Sequence, residues 1–351
     1  RIYRYGMALG RHRKPICSVR KGHWWQHLSL VKIKHKILVK ALDVPHAYEA
    51  LSLTCKMQWQ TTPIQALNDP LYVRKKVEVF LKREELSHPE VSGNKALKLK
   101  YNLLKAKEKG YDTLLTFGGA FSNHIYAVAA AGKAFGFNTI GIIRGEKHEP
   151  LNATLAFATS CGMQLEYVSR EEYRKKKEAP FITELKERWG KFHMIPEGGT
   201  NALAVRGVKE MVQSITPSFD YYCVAVGTGG TMAGVVLGAP VSAKVFGFSS
   251  LKGNFLTKEL RCLFEQLNER PSTKWEMMNG FHFGGYAKVK PELISFMEAF
   301  ESRHQILLDP VYTAKMMYGL HDKINKGDFP KGASILAIHT GGLQGRAGFG
   351  L

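Results

Sequence analysis

Along most of this chain, short apolar runs alternate with helical patterns, and several of the runs end on paired glycines. Residues 113–117 (TLLTF) run into Gly118 and Gly119, and an alanine-rich helical stretch at 125–135 follows and stops at Gly136. Strand patterns recur at 139–143, 164–168, 193–195, 221–226, 245–248 and 334–338. Helical ones lie at 152–160, up to Trp189, from Met232, and through 255–267, 293–300 and 311–320. Parallel neighbours in a sheet need crossovers of this length, and strands buried on both faces need helices to cover them. The alternation therefore predicts an α/β fold with a mainly parallel sheet covered by helices. Val77, Val79 and Leu81, alternating with charged residues, add a strand ahead of the first strong helix.

That helix opens the stretch 92–124, SGNKALKLKYNLLKAKEKGYDTLLTFGGAFSNH. Asn94 and Lys95 follow Gly93 at its mouth, Leu97, Leu99, Leu103, Leu104 and Ala106 form its apolar face, and Gly110 stops it. A lysine at a helix start is ordinarily a solvated surface group. The N–H groups there carry partial positive charge and lower an ammonium pKa, which is what an amine needs to form a Schiff base. Lys98, one turn on, falls on the same face and either reaches a phosphate or is solvated. The turn GGAFSNH offers a second set of backbone donors suited to a carboxylate, with Ser122 also a candidate helix cap. GTGGT at 227–231 follows a strand and opens a helix. Thr228, Gly229, Gly230 and Thr231 can then cradle a phosphate on their N–H groups, with the Thr231 hydroxyl beside them. The loop lacks both GxxxxGK[ST] and the acid that follows a dinucleotide fingerprint, which argues against ATP or NAD as its ligand.

The 351 residues can bury a sizeable core, and a formal net charge of +20 raises a nucleic-acid reading. Residues 1–59 hold 12 Lys and Arg against 2 acids, so half of that excess sits outside the alternating region, and no recognition motif accompanies it. This segment, which opens on Arg1, reads as a basic extension of uncertain order: either a poorly ordered tail or an organellar targeting segment, though without the serine-rich amphipathic pattern of one. Five cysteines, odd in number and scattered with no CxxC pair, argue for free thiols in a reducing compartment and against disulfides or a metal site. No apolar run is long enough to cross a bilayer, and the expected location is the cytoplasm.

Five segments together carry a resemblance. NKALKLKYNL resembles the NKxRKLxYL segment of the pyridoxal-phosphate enzymes of the 1-aminocyclopropane-1-carboxylate deaminase and D-cysteine desulfhydrase family. GGAFSNH resembles their GGxQSNH, GTGGTMAG their phosphate loop, and DPVYTAK and HTGG their late active-site segments. The likeness runs from about residue 60 to the end, in family order, and departs at Leu97, where the family usually has arginine, and at Phe121, where glutamine is common.

The resemblance implies a fold type II architecture of two domains, each with a mainly parallel sheet flanked by helices. The large domain would comprise residues 60–97 and 207–351, the small one 98–206 inserted between them, with the cofactor in the cleft. It implies Lys95 as the amine that bonds pyridoxal phosphate and later removes the Cα proton. It puts Asn123 on the cofactor's ring oxygen, and Ser122, Asn123 and His124 around the substrate carboxylate. Tyr286 (in FGGYAK) and Tyr312 would face the substrate, and Thr313 and Thr340 would lie by the cofactor ring. At these last two positions aminocyclopropane-carboxylate deaminases carry glutamate and leucine, whereas D-cysteine desulfhydrases carry small hydroxyl residues. The expected activity is therefore β-elimination on D-cysteine or a similar small D-amino acid, giving pyruvate, ammonia and sulfide. The alternatives are aminocyclopropane-carboxylate deamination to 2-oxobutanoate and a catalytically silent relative. A homodimer is implied, with a small amino-acid substrate and no nucleic-acid or membrane partner.

Overall fold

The structure, a computed structural model, describes Leu53, residues 61–91 and residues 93–351. The basic extension expected at 1–59 thus lies outside the described residues, except for Leu53, which is buried in an apolar cluster with Val91 and Ala96.

Two sheets organise the chain. The larger has the order β1 (Ile64–Ala66), β2 (Glu78–Lys82), β10 (Ser334–Ile338), β7 (Tyr221–Val226), β8 (Lys244–Ser249), β9 (Lys274–Met278). All its pairings are parallel except β1 with β2, an antiparallel edge. The smaller sheet is wholly parallel, in the order β5 (Met163–Val168), β4 (Asn138–Arg144), β3 (Thr113–Gly119), β6 (His193–Ile195). Eleven α-helices are described: α1 (Pro70–Lys75), α2 (Asn94–Glu108), α3 (Asn123–Phe135), α4 (Ala153–Ser160), α5 (Arg170–Arg174), α6 (Ala179–Trp189), α7 (Ala202–Gln213), α8 (Gly230–Gly238), α9 (Phe255–Gln266), α10 (Pro291–His304) and α11 (Thr313–Lys326). Both sheets belong to one compact unit, Glu49–Leu351. Among the described residues, no helix is long and apolar enough to cross a membrane.

Strand periodicity explains how the larger sheet is covered on both faces. Val79, Leu81, Cys223, Ala225, Ile335 and Ala337 point into one cluster with Leu293 and Met297 of α10 and Met316 and Leu320 of α11. Their sequence neighbours Tyr222, Val224, Val226, Leu336 and Ile338 point the other way, against Val205 and Val208 of α7 and Met232 and Val235 of α8. The smaller sheet repeats the scheme. Leu114 and Ile143 meet Leu99 and Leu103 of α2 and Ile125 of α3, while Leu115, Phe117, Ile140 and Ile142 meet Phe181 and Leu185 of α6. Each fully buried Val, Leu, Ile, Phe or Met among them stabilises the fold by about 1.5–3 kcal/mol relative to exposure.

Helix α2 runs unbroken past residue 97, where the sequence suggested a domain boundary. Leu97 packs against the second cluster of the larger sheet, so an apolar residue is at home there. Strands β1 and β9 carry no clear sequence signal: β1 has three residues at an edge, and β9 (KWEMM) has charged residues at its exposed positions.

Candidate active site

The carboxyl ends of β3, β4, β6, β7 and β10 and the first turn of α2 surround a cleft of about 1130 Å³. Open α/β sheets bind ligands at this end of their strands.

Gly93 sets the position of α2. It has φ 68° and ψ −152°, and a Cβ there would lie 2.5 Å from the Thr340 carbonyl carbon and 2.8 Å from Gly341 Cα. The missing side chain lets the helix mouth rest on the HTGG turn, where Asn94 N–H donates to the Thr340 carbonyl (3.2 Å). Asn94 Nδ2 then donates to Thr231 Oγ1 (2.8 Å), and Lys95 Nζ donates to Asn94 Oδ1 (2.8 Å). The Lys95 amine lines the cleft, its pKa lowered to about 8 by burial, with Asp309 pushing in the opposite direction.

Lys98 is not a solvated surface residue. It is 2% exposed, and its amine donates to the Gly198 carbonyl and to Thr200 Oγ1 (3.2 Å), both neutral acceptors. Burial first, then the nearby Lys95, hold its pKa well below the usual lysine range. It faces the GTGGT loop: a Cβ at Gly230 would meet Thr200 Oγ1 at 2.8 Å and the Lys98 amine at 3.2 Å. Gly229, at φ 82°, caps α8, and the hydroxyls of Thr200 and Thr228 share a hydrogen bond of 2.6 Å. A helix start, three hydroxyls and a buried amine without an acid partner among the described residues form a cradle whose donor set suits a phosphate ester.

On the other wall, Ser122 caps α3, its Oγ accepting from His124 N–H (3.2 Å) and Ile125 N–H (3.3 Å). A Cβ at Gly118 would stand 2.7 Å from that hydroxyl oxygen, so the turn needs glycine. Asn123 Oδ1 accepts from Gln344 Nε2 (3.0 Å), which ties α3 to the segment after HTGG. His124 is buried. Thr116 Oγ1 donates to the Ile195 carbonyl (2.8 Å) and so accepts from His124 Nε2 (2.8 Å). Burial, then Lys95 and Lys98, hold the pKa of this imidazole well below the usual histidine range, against an opposing contribution from the Pro196 backbone.

Tyr286 and Tyr312 meet edge to face across the cleft, ring centroids 6.1 Å apart. Burial pushes both phenols up, Tyr312 well above the usual range. Phe121 is exposed at the cleft's rim. Thr340 lines the cleft, but Thr313 does not: it is fully buried, and its hydroxyl donates to Asp309 Oδ1 (2.8 Å). Asp309, the first residue of DPVYTAK, was missed by the sequence reading. Its carboxylate also accepts the backbone N–H groups of Val311 (3.0 Å), Tyr312 (2.9 Å) and Thr313 (2.8 Å), which fixes the start of α11. Thr200 was missed too; only its place after two glycines in PEGGTNA pointed to it.

Comparison with known proteins agrees with this geometry. A family profile described as pyridoxal-phosphate dependent enzyme matches residues 56–341. A protein of Arabidopsis thaliana named bifunctional D-cysteine desulfhydrase/1-aminocyclopropane-1-carboxylate deaminase, mitochondrial, is 33% identical over 81% of this chain and 77% of its own length. A D-cysteine desulfhydrase of Serratia proteamaculans is 27% identical over 76% of this chain and 86% of its own. Among solved structures, one described as an ACC deaminase homologue superposes with a TM-score of 0.73 at 30% identity, covering 86% of this chain and 97% of its own. With the profile spanning both sheets and the cleft between them, the chain belongs to the family of pyridoxal-phosphate dependent enzymes.

Proposed function

We propose that the protein is a lyase that eliminates the Cβ substituent of D-cysteine or a similar small D-amino acid; D-cysteine and one water then give pyruvate, ammonia and sulfide. The observation that carries this reading is a lysine amine lining the cleft, one helical turn from a phosphate-type cradle whose own lysine has no acid partner among the described residues. Lys98, Thr200, Thr228, Thr231 and the N–H groups at the start of α8 would hold the cofactor's phosphate, Lys95 its reactive carbon, and Asn123 its ring oxygen. Of the two threonines expected beside the ring, only Thr340 lines the cleft, and we assign the ring contact to it. The cofactor, when bound, supplies an electron sink for the pair left when the Cα–H bond breaks.

The protein's own groups do the rest. Lys95, once free, accepts the Cα proton on Nζ, which a pKa near 8 permits at neutral to mildly alkaline pH. Ser122 and the backbone donors of its turn hold the substrate carboxylate, and Tyr286 and Tyr312 wall the far side of the cleft, where the Cβ substituent leaves. The relatives' names support aminocyclopropane-carboxylate deamination to 2-oxobutanoate as a second reading. Opening a cyclopropane calls for a placed nucleophile. Thiolate leaves Cβ without such help, so we place D-cysteine first.

We further read the six-stranded sheet as a large domain drawn from 60–97 and 207–351 and the four-stranded one as an inserted domain, 98–206, in a cytoplasmic homodimer that takes neither nucleic acid nor membrane. Light scattering tests the dimer. The decisive assay incubates purified holoprotein with D-cysteine and with 1-aminocyclopropane-1-carboxylate, measuring sulfide and pyruvate against 2-oxobutanoate. Lys95→Ala should abolish both the turnover and the borohydride-reducible link to the cofactor. Turnover of neither substrate, or a reducible link that survives Lys95→Ala, would refute the proposal.

A further inference from the structure

Lys315 is a buried amine that the reaction outlined above does not use. It is 1% exposed, three residues after Tyr312 on α11, and its Nζ donates to the carbonyls of His282 (3.0 Å) and Gly285 (2.8 Å). Those carbonyls belong to the loop between β9 and α10, which carries Tyr286. The loop backbone is unusual. Phe283 (φ 54°), Gly284 (φ 101°), Gly285 (φ 125°) and Ala287 (φ 53°) all have positive φ, which flanks Tyr286 with strained positions on both sides. A phenylalanine and an alanine rarely adopt this conformation, and strained residues persist only where their surroundings over-determine them.

What over-determines them is a short inventory. Within the loop, Gly285 N–H donates to the His282 carbonyl (3.0 Å), Gly284 N–H to His282 Nδ1 (3.0 Å), and Lys288 N–H to the Gly285 carbonyl (3.2 Å). Phe281 packs on Phe248, and Phe283 on Tyr318 of α11. Lys315 bonds the same two carbonyls that close the loop's own turns, from the helix whose first residue follows Tyr312. One helix start therefore places both tyrosines, Tyr312 directly and Tyr286 through an amine.

We propose that Lys315 is a positioning residue: its buried amine clamps the 281–288 loop so that Tyr286 stands against Tyr312 over the substrate end of the cleft. The consequence for the reaction rests on the functional reading above, whereas the clamp itself does not. Lys315→Met keeps the stem's volume and removes the donors, and Lys315→Gln retains one amide donor group on a shorter stem. Hydrogen exchange on the cofactor-free and cofactor-loaded protein should show loop 281–288 exchanging about tenfold faster in Lys315→Met, with the interior of α11 still protected and Lys315→Gln intermediate. Turnover should fall by about tenfold or more. In a Tyr286→Phe background the same substitution should cost no more than about twofold further, since residues acting through one another are not additive.

Unchanged loop exchange in both variants would overturn the clamp, and so would a full additional loss of turnover in the Tyr286→Phe background. Tyr286→Phe with undiminished turnover would remove the tyrosine's assigned part in the reaction and with it the catalytic half of the proposal. The exchange data would still decide whether Lys315 holds the loop.

Discussion

Replacing Gly93 by alanine tests whether the helix mouth really rests on the HTGG turn. The perturbation has two parts. At φ 68°, ψ −152° the backbone is in a region essentially reserved for glycine, which costs a residue with a Cβ about 1–3 kcal/mol. The new methyl would also stand 2.5 Å from the Thr340 carbonyl carbon and 2.8 Å from Gly341 Cα. Both are backbone atoms that cannot swing aside, and overpacking of this kind adds about 1–3 kcal/mol. Gly136→Ala is the matched control. Its φ of 71° is also left-handed, but nothing lies within 4 Å of the added carbon, so only the conformational cost of about 1–2 kcal/mol applies. Urea unfolding at constant slope should separate the variants by about 1–4 kcal/mol. Function should separate them further, because moving the Lys95 amine by about 1 Å is enough to lower turnover about a hundredfold. Equal midpoints for the two variants, together with D-cysteine turnover in Gly93→Ala within about twofold of wild type, would refute the close approach.

Lys98→Met should act in opposite directions on stability and on cofactor affinity. The cofactor-free protein loses a buried amine without an acid partner and should unfold no more easily than wild type, while affinity for pyridoxal phosphate falls by about 2–4 kcal/mol. Equal losses of both in a titration and a melt would show the lysine to be structural. Capture of the cofactor by the apoprotein should speed up as pH rises towards about 8 and flatten above it, because the reacting species is the free Lys95 amine; a stopped-flow rate independent of pH would contradict this. The same shift has a sign for folding. Lys95 and Lys315, each near 8 when folded and higher when unfolded, make the unfolded chain bind more protons above that pH, so apoprotein stability should rise from about pH 8 to 9.5. A falling stability across that window would contradict it.

Much of this was legible in the sequence because it depends on local patterns. Period-two burial in residues such as Leu336 and Ala337, and glycines such as Gly118 and Gly229, are written residue by residue. What was not legible depends on partners far apart in the chain. The sequence leaves open whether Lys98 reaches a phosphate or is solvated, and the choice is made by Gly198 and Thr200, about a hundred residues on, which close over it. Thr313 reads as a cofactor contact until Asp309 takes its hydroxyl. The state of His124 follows only from Thr116 being committed to Ile195. The edge strand β1 pairs antiparallel with β2, which its three residues alone do not signal.

The two lysines of α2 show how such distant partners divide the chemistry. Both are deprived of water, but Lys95 feels Asp309, which holds its pKa near 8, while Lys98 feels Lys95 instead and falls well below the usual range. In the cofactor-free protein burial disfavours the charged form of both amines, and in Lys98 the neighbouring Lys95 adds to it. An anion entering the cradle reverses this, since a dianion near a buried amine favours its charged form. Binding of a phosphate ester should then draw a proton onto Lys98. Pyridoxine phosphate, which carries no aldehyde, isolates this event from any reaction with Lys95. Calorimetry in two buffers of different ionisation enthalpy measures the uptake, and Lys98→Met should abolish it. Binding without proton uptake, or uptake that persists in the variant, would mean that the amine is already charged in the empty cradle and that its burial is offset by something other than the ligand.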